Sequence, residues 1–167
     1  MIIPRDTYLQ QLIDSRFNSL IKVITGIRRS GKSYLLFKIY RNYLISNGVA
    51  VENIVEIALD DIRHENLRDP KKLSRYLHNA IKDPNQQYYI FLDEVQYAIT
   101  KEEMRNPASP IQLYGVLNGL LHLGNVDVYV TGSNSKFLSS DIMTEFRGRS
   151  DIIHIYPLSF AEYHAVA

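Results

Sequence analysis

Gly26-Ile27-Arg28-Arg29-Ser30-Gly31-Lys32-Ser33 reads G-x-x-x-x-G-K-S, the pattern of a loop that cradles phosphate. Leu20-Ile21-Lys22-Val23-Ile24-Thr25 before it has the make-up of a short buried strand. After it, Leu35, Leu36, Ile39, Tyr40, Tyr43 and Leu44 recur every three to four residues and predict a helix with one apolar stripe. The loop therefore lies between a strand and a helix N-terminus. Backbone N–H groups there point inward, and the helix dipole adds positive potential. Glycine at 26 and 31 allows backbone angles and close approaches that a Cβ would block. In this pattern residues 26–34, from Gly26 to Tyr34, are the expected nucleotide-binding stretch. Lys32 is expected on the β- and γ-phosphates, exposed until a ligand arrives, and the Ser33 hydroxyl on Mg²⁺.

The remainder of the chain alternates helix and strand patterns. Residues 6–16 read as a helix carrying Tyr8, Leu9, Leu12 and Ile13, with Asp6 as its cap. The loop's helix is expected to end at Asn47-Gly48. Asn53 to Leu59 reads as a second strand and 70–82 as a helix opened by Pro70. Tyr88-Tyr89-Ile90-Phe91-Leu92 is apolar at every position, which suits a strand covered on both faces. The stretch 98–110 holds two prolines and reads as a loop. Ile111 to Leu123 reads as a helix, Val126 to Thr131 as a fourth strand, and Asp151 to Tyr156 as a fifth, with a helical stretch to about Phe146 between them. Leu158 onward is expected to begin one more helix. This alternation predicts an α/β fold with a parallel sheet, helices on both faces and ligands beyond the strands' carboxyl ends. Without repeats or a linker, residues 1–167 are expected to form a single domain.

The 167 residues are 46% hydrophobic and 22% charged, with net charge +1. That balance gives no global argument for a nucleic-acid-coating protein, although Arg28, Arg29, Arg147 and Arg149 leave a local strand contact open. There is no cysteine, so disulfides, thiol catalysis and Cys-ligated zinc are excluded. The five histidines are scattered and form no H-E-x-x-H. No run approaches the ~20 apolar residues of a membrane span, and no secretion signal opens the chain, so a cytoplasmic location is expected.

A second half of the site falls at later strand ends. The third strand runs into Asp93-Glu94, the Walker B pattern, with Asp93 expected to hold Mg²⁺ and Glu94 to polarise water. The fourth ends in Thr131-Gly132-Ser133-Asn134, where Ser133 or Asn134 could sense the γ-phosphate or cap a helix. Arg147 and Arg149 precede the fifth strand, and Arg149 is the favoured candidate to stabilise transition-state charge. Asp60-Asp61 reads as a strand end.

Taken in order, Thr25 to Ser33, Phe91-Leu92-Asp93-Glu94-Val95-Gln96, Thr131 to Lys136, Gly148-Arg149 and Tyr156-Pro157-Leu158-Ser159-Phe160-Ala161-Glu162-Tyr163 resemble the prokaryotic AAA-type P-loop ATPases that carry a C-terminal domain of unknown function. The resemblance implies strand order 5-1-4-3-2 and a catalytic glutamate. It implies ATP and Mg²⁺ as cofactors, with Lys32 and Ser33 on phosphate and metal, Asp93 on metal, Glu94 as base and Ser133 or Asn134 as sensor. Family members continue past the Pro-Leu-Ser-Phe segment, so this chain is expected to be an ATPase core lacking that second domain. Expected partners are ATP, the missing domain and either further copies or another protein. Two alternatives stand beside hydrolysis: a nucleotide-binding switch with little turnover, and a small-molecule kinase. Glu94 directly after Asp93, and no evident arginine-rich lid, weigh against the kinase.

Overall fold

The computed structural model describes residues 6–27, 30–106, 111–133 and 150–155. Five strands, β1 (Ile21–Thr25), β2 (Ile54–Ala58), β3 (Tyr88–Asp93), β4 (Val126–Gly132) and β5 (Ser150–His154), pair in parallel in the order β2-β3-β4-β1-β5. Read from the other edge this is 5-1-4-3-2, as the resemblance implied. The three central strands, β1, β3 and β4, are buried along their whole length. Parallel pairing hides both faces, which is why their sequences are apolar runs with little alternation.

Successive residues of each strand serve opposite faces. Val23, Ile90, Leu92, Val128 and Val130 face one way and meet Leu73, Leu77, Leu113, Leu117 and Leu120 of the helices Pro70–Ala80 and Gln112–Leu121. Ile24, Tyr89, Phe91 and Tyr129 face the other way. There they meet Leu12 of the helix Asp6–Asp14 and Leu35, Leu36, Ile39, Tyr40 and Leu44 of the loop's helix. That second helix starts at Lys32–Tyr34, takes π-type hydrogen bonding over Leu35–Tyr40 and continues as Arg41–Ser46. It ends at Asn47 with Gly48 at φ +95°, the expected stop.

Two expectations change. Within 98–110 the chain is not all loop: Lys101–Arg105 is a helix with a complete capping box. Thr100 Oγ1 accepts from the Glu103 N–H at 3.1 Å, and Glu103 Oε1 accepts from the Thr100 N–H at 2.9 Å. Asp6 lies inside the first helix rather than before it. The helical readings to Phe146 and from Leu158 fall outside the described residues.

Beneath the loop's helix runs a buried polar network. Lys22 and Asp127, 0% and 1% exposed, form an ion pair across β1 and β4. Asn18 Oδ1 accepts from Lys22 Nζ at 3.1 Å. Asp127 Oδ2 accepts from the Tyr129 hydroxyl at 2.6 Å and from the N–H of Phe17 at 3.0 Å. Tyr129 thus spends its proton on Asp127, and the Tyr40 hydroxyl donates to Tyr129. Burial first, and then the Asp127 charge, push the Tyr129 phenol far above its ordinary value, so it stays protonated. The network also holds Phe17 at φ +50°, a conformation its side chain disfavours. Removing one partner of a buried pair strands the other charge, at a cost of about 3–5 kcal/mol. Lys22→Met is therefore expected to lower the unfolding free energy by about that amount. A denaturant titration reads it, and a loss under about 1 kcal/mol would show that Asp127 needs no cation.

Candidate functional site

β1, β3 and β4 end side by side, and the polar residues of the sequence motifs meet there. The chain leaves β1 at Thr25 and turns at Gly26, φ +156°. A Cβ at Gly26 would lie 2.6 Å from the Ile155 carbonyl oxygen and 2.7 Å from Ser30 Oγ. The Ile155 carbonyl is fixed, since the Ile155 N–H donates to the Thr25 carbonyl at 2.8 Å. Gly26→Ala should therefore reshape the loop, costing about 1–3 kcal/mol of strain. Thermal melting together with ATP affinity checks this, and wild-type values for both would contradict it.

Gly31, φ +93°, opens the helix, and its carbonyl accepts from the Leu35 N–H at 2.9 Å. Lys32 was expected to be exposed, but it is 4% exposed. Its stem runs back under the loop, where Nζ donates to the carbonyls of Gly26 at 2.9 Å and Ile27 at 3.0 Å. A buried ammonium must find acceptors, and the curled loop supplies two. Burial lowers the Lys32 pKa, and the nearby charges of Glu94 and Asp93 oppose that. Ile27 projects outward at 59% exposure, and Tyr34 packs half-buried against the second core. Arg28 and Arg29 lie outside the described residues.

Asp93 ends β3, buried. Its Oδ2 accepts from Ser33 Oγ at 2.7 Å, and its Oδ1 accepts from Thr131 Oγ1. Burial pushes the Asp93 carboxyl up, while the two hydroxyl donors pull it down. Glu94 then takes a left-handed conformation, φ +55° and ψ +57°. Its N–H donates to Thr131 Oγ1 at 2.9 Å. Its Oε2 accepts from Gln96 Nε2 at 2.6 Å and from Ser133 Oγ at 2.7 Å. Ser133 therefore meets the Glu94 carboxylate directly. Asn134, Arg147 and Arg149 lie outside the described residues. β2 ends at Ala58, so Asp61 lies three residues past the strand end expected there; it caps the short helix Ile62–Arg68 and pairs with Arg63, whose hydrogen bonds hold its carboxyl at about 2.

Thr131 and Gln96 also join the site, though the motif pattern assigns neither a role. Their signal was position alone, one at the end of β4 and the other two residues past Glu94.

The donor set fits Mg²⁺. Ser33 Oγ and Asp93 Oδ2 are hard oxygens placed together at the start of the loop's helix. Mg²⁺ is usually held by one or two protein oxygens, with phosphate and water completing the shell. Among the described residues no three His, Cys, Asp or Glu side chains gather into a larger cage. Also among them, no helix is long and apolar enough to cross a membrane.

The profile of the AAA domain family matches residues 18–164. An uncharacterized protein of Haemophilus influenzae is 35% identical over 162 residues, covering 97% of this chain and 37% of its own length. The uncharacterized protein MJ1544 of Methanocaldococcus jannaschii is 30% identical over 147 residues, covering 86% of this chain and 28% of its own. The chain thus spans about a third of these curated relatives. Among solved structures, the S. cerevisiae Hsp104:casein complex in its extended conformation superposes with TM-score 0.68 at 15% identity, covering 99% of this chain and 29% of that one. AMPPCP-bound DnaA from Aquifex aeolicus superposes with TM-score 0.56 at 16% identity, covering 95% and 47%. At such identities the likeness is one of fold.

Proposed function

We propose, from the premise that this chain belongs to the AAA domain family of P-loop ATPases, that it binds Mg-ATP and hydrolyses it by attack of water on the γ-phosphate. The observation that carries the proposal is the meeting of three strand ends. The loop with Lys32 follows β1, Asp93 ends β3 with Glu94 directly after it, and Ser133 follows β4.

In this reading the loop N–H groups and Lys32 take the phosphates, for which Lys32 exchanges the Gly26 and Ile27 carbonyls. Ser33 and Asp93 would hold Mg²⁺, which when bound neutralises charge on the β- and γ-oxygens. Glu94 accepts the proton of the attacking water, and Ser133 orients its carboxylate. Arg149 and Asn134 are proposed to complete the site from the segment that follows β4. An ATPase core that is one domain of a longer protein, located in the cytoplasm, is the setting this reading favours.

Phosphate release from ATP in Mg²⁺, with and without candidate acceptors, tests it. Release to water without an acceptor is expected. Phosphate appearing only on an acceptor would instead make the chain a kinase, and ATP binding without release would make it a switch.

A further inference from the structure

We propose that Thr131 is the positioning residue of this site, one hydroxyl that sets both the metal-facing carboxylate of Asp93 and the backbone of Glu94. The inference rests on the Mg-ATP reading above.

Thr131 lies in β4 opposite Ile24 of β1 and is 0% exposed. A hydroxyl has one proton to give and lone pairs to receive. Here Thr131 Oγ1 gives its proton to Asp93 Oδ1 and receives the Glu94 N–H at 2.9 Å. With Oδ1 engaged, Asp93 is turned so that Oδ2 faces Ser33 Oγ, the other oxygen suited to the metal. The second bond bears on a strained residue. Glu94 is not glycine, yet it sits at φ +55°, a region that persists only where neighbours hold it. The left-handed turn brings its Oε2 to Gln96 and Ser133. The same hydroxyl thus orients the metal ligand through its side chain and the base through its peptide.

Valine matches threonine in shape and removes the hydroxyl, while serine keeps it. Partners that orient a metal ligand typically contribute 10–100-fold to metal affinity. Calorimetric titration of the whole chain with ATP in Mg²⁺ and in EDTA reads the gain in ATP affinity due to the metal, with no turnover needed. Thr131→Val is expected to keep the affinity measured in EDTA and to lose about 10–100-fold of the Mg²⁺-dependent gain. Thr131→Ser is expected to restore most of that gain. A purely structural role would lower the melting temperature of Thr131→Val and leave the Mg²⁺ gain untouched, and that result overturns the inference alone. Should the valine variant fail to fold, Thr131→Ala is read the same way. No ATP binding by the wild-type chain in either buffer overturns both the inference and the function it rests on.

Discussion

Lys32→Ala is expected to weaken Mg-ATP binding by at least about 100-fold. Lys32 is the cation at the base of the loop and can give three hydrogens to phosphate oxygens. Charge-assisted bonds contribute about 1.5–3 kcal/mol each, and about 1.4 kcal/mol is a factor of ten. Two such bonds suffice for the loss. Because Lys32 is buried and donates to the Gly26 and Ile27 carbonyls, the substitution also leaves a gap and two freed acceptors. Each acceptor left without water or another donor costs about 1–3 kcal/mol, so a lowered melting temperature should accompany the affinity loss. Lys32→Met separates the effects, since it refills the space of the stem without restoring the charge. Its melting temperature should recover towards wild type while its ATP affinity stays low. Wild-type ATP affinity in a folded Lys32→Met protein would refute the phosphate role of the lysine.

Glu94→Gln is expected to lower turnover by about 10²–10⁴-fold, the usual contribution of a general base, with ATP affinity nearly unchanged. Ser33, Asp93 and the loop hold the ground state in this account, whereas Glu94 acts as the transition state forms. The resting geometry favours a clean experiment. A glutamine carbonyl can still accept from Gln96 Nε2 and Ser133 Oγ, and the Glu94 N–H still meets Thr131 Oγ1. The side chain should therefore keep its place and lose only its charge. Equal turnover in the wild type and the variant would remove Glu94 as the base.

The strands were legible because burial on both faces writes itself as apolar runs. Tyr88 to Leu92 reads as a covered strand, and it is buried throughout. Ser33, Asp93 and Ser133 were found from motif spacing, and the fold brings them together through strand ends far apart in sequence. The contacts of Lys22 were not legible. Asn18 lies four residues away, but the counter-ion of this lysine inside an apolar strand, Asp127, reaches it only after β4 inserts beside β1. The resting place of Lys32 was hidden for a related reason, since it depends on how the loop curls and not on which residues compose it. The helix Lys101–Arg105 is different. Its Thr-x-x-Glu box stands in the sequence at Thr100 and Glu103, a local helix-start signal outweighed in the loop reading by Pro107 and Pro110. Thr131 lay within a recognised motif, but its double hydrogen bond requires β3 and β4 in register.

The central claim is that the loop from Gly26 to Ser33 takes the phosphates of ATP and that Ser33 and Asp93 are the residues that would hold Mg²⁺. Calorimetric titration of the wild-type chain with ATP, in Mg²⁺ and then in EDTA, tests it most directly. The account predicts saturable binding at one site per chain, tighter in Mg²⁺ than in EDTA. Failure to bind ATP at millimolar concentration, or equal affinity with and without the metal, would contradict it.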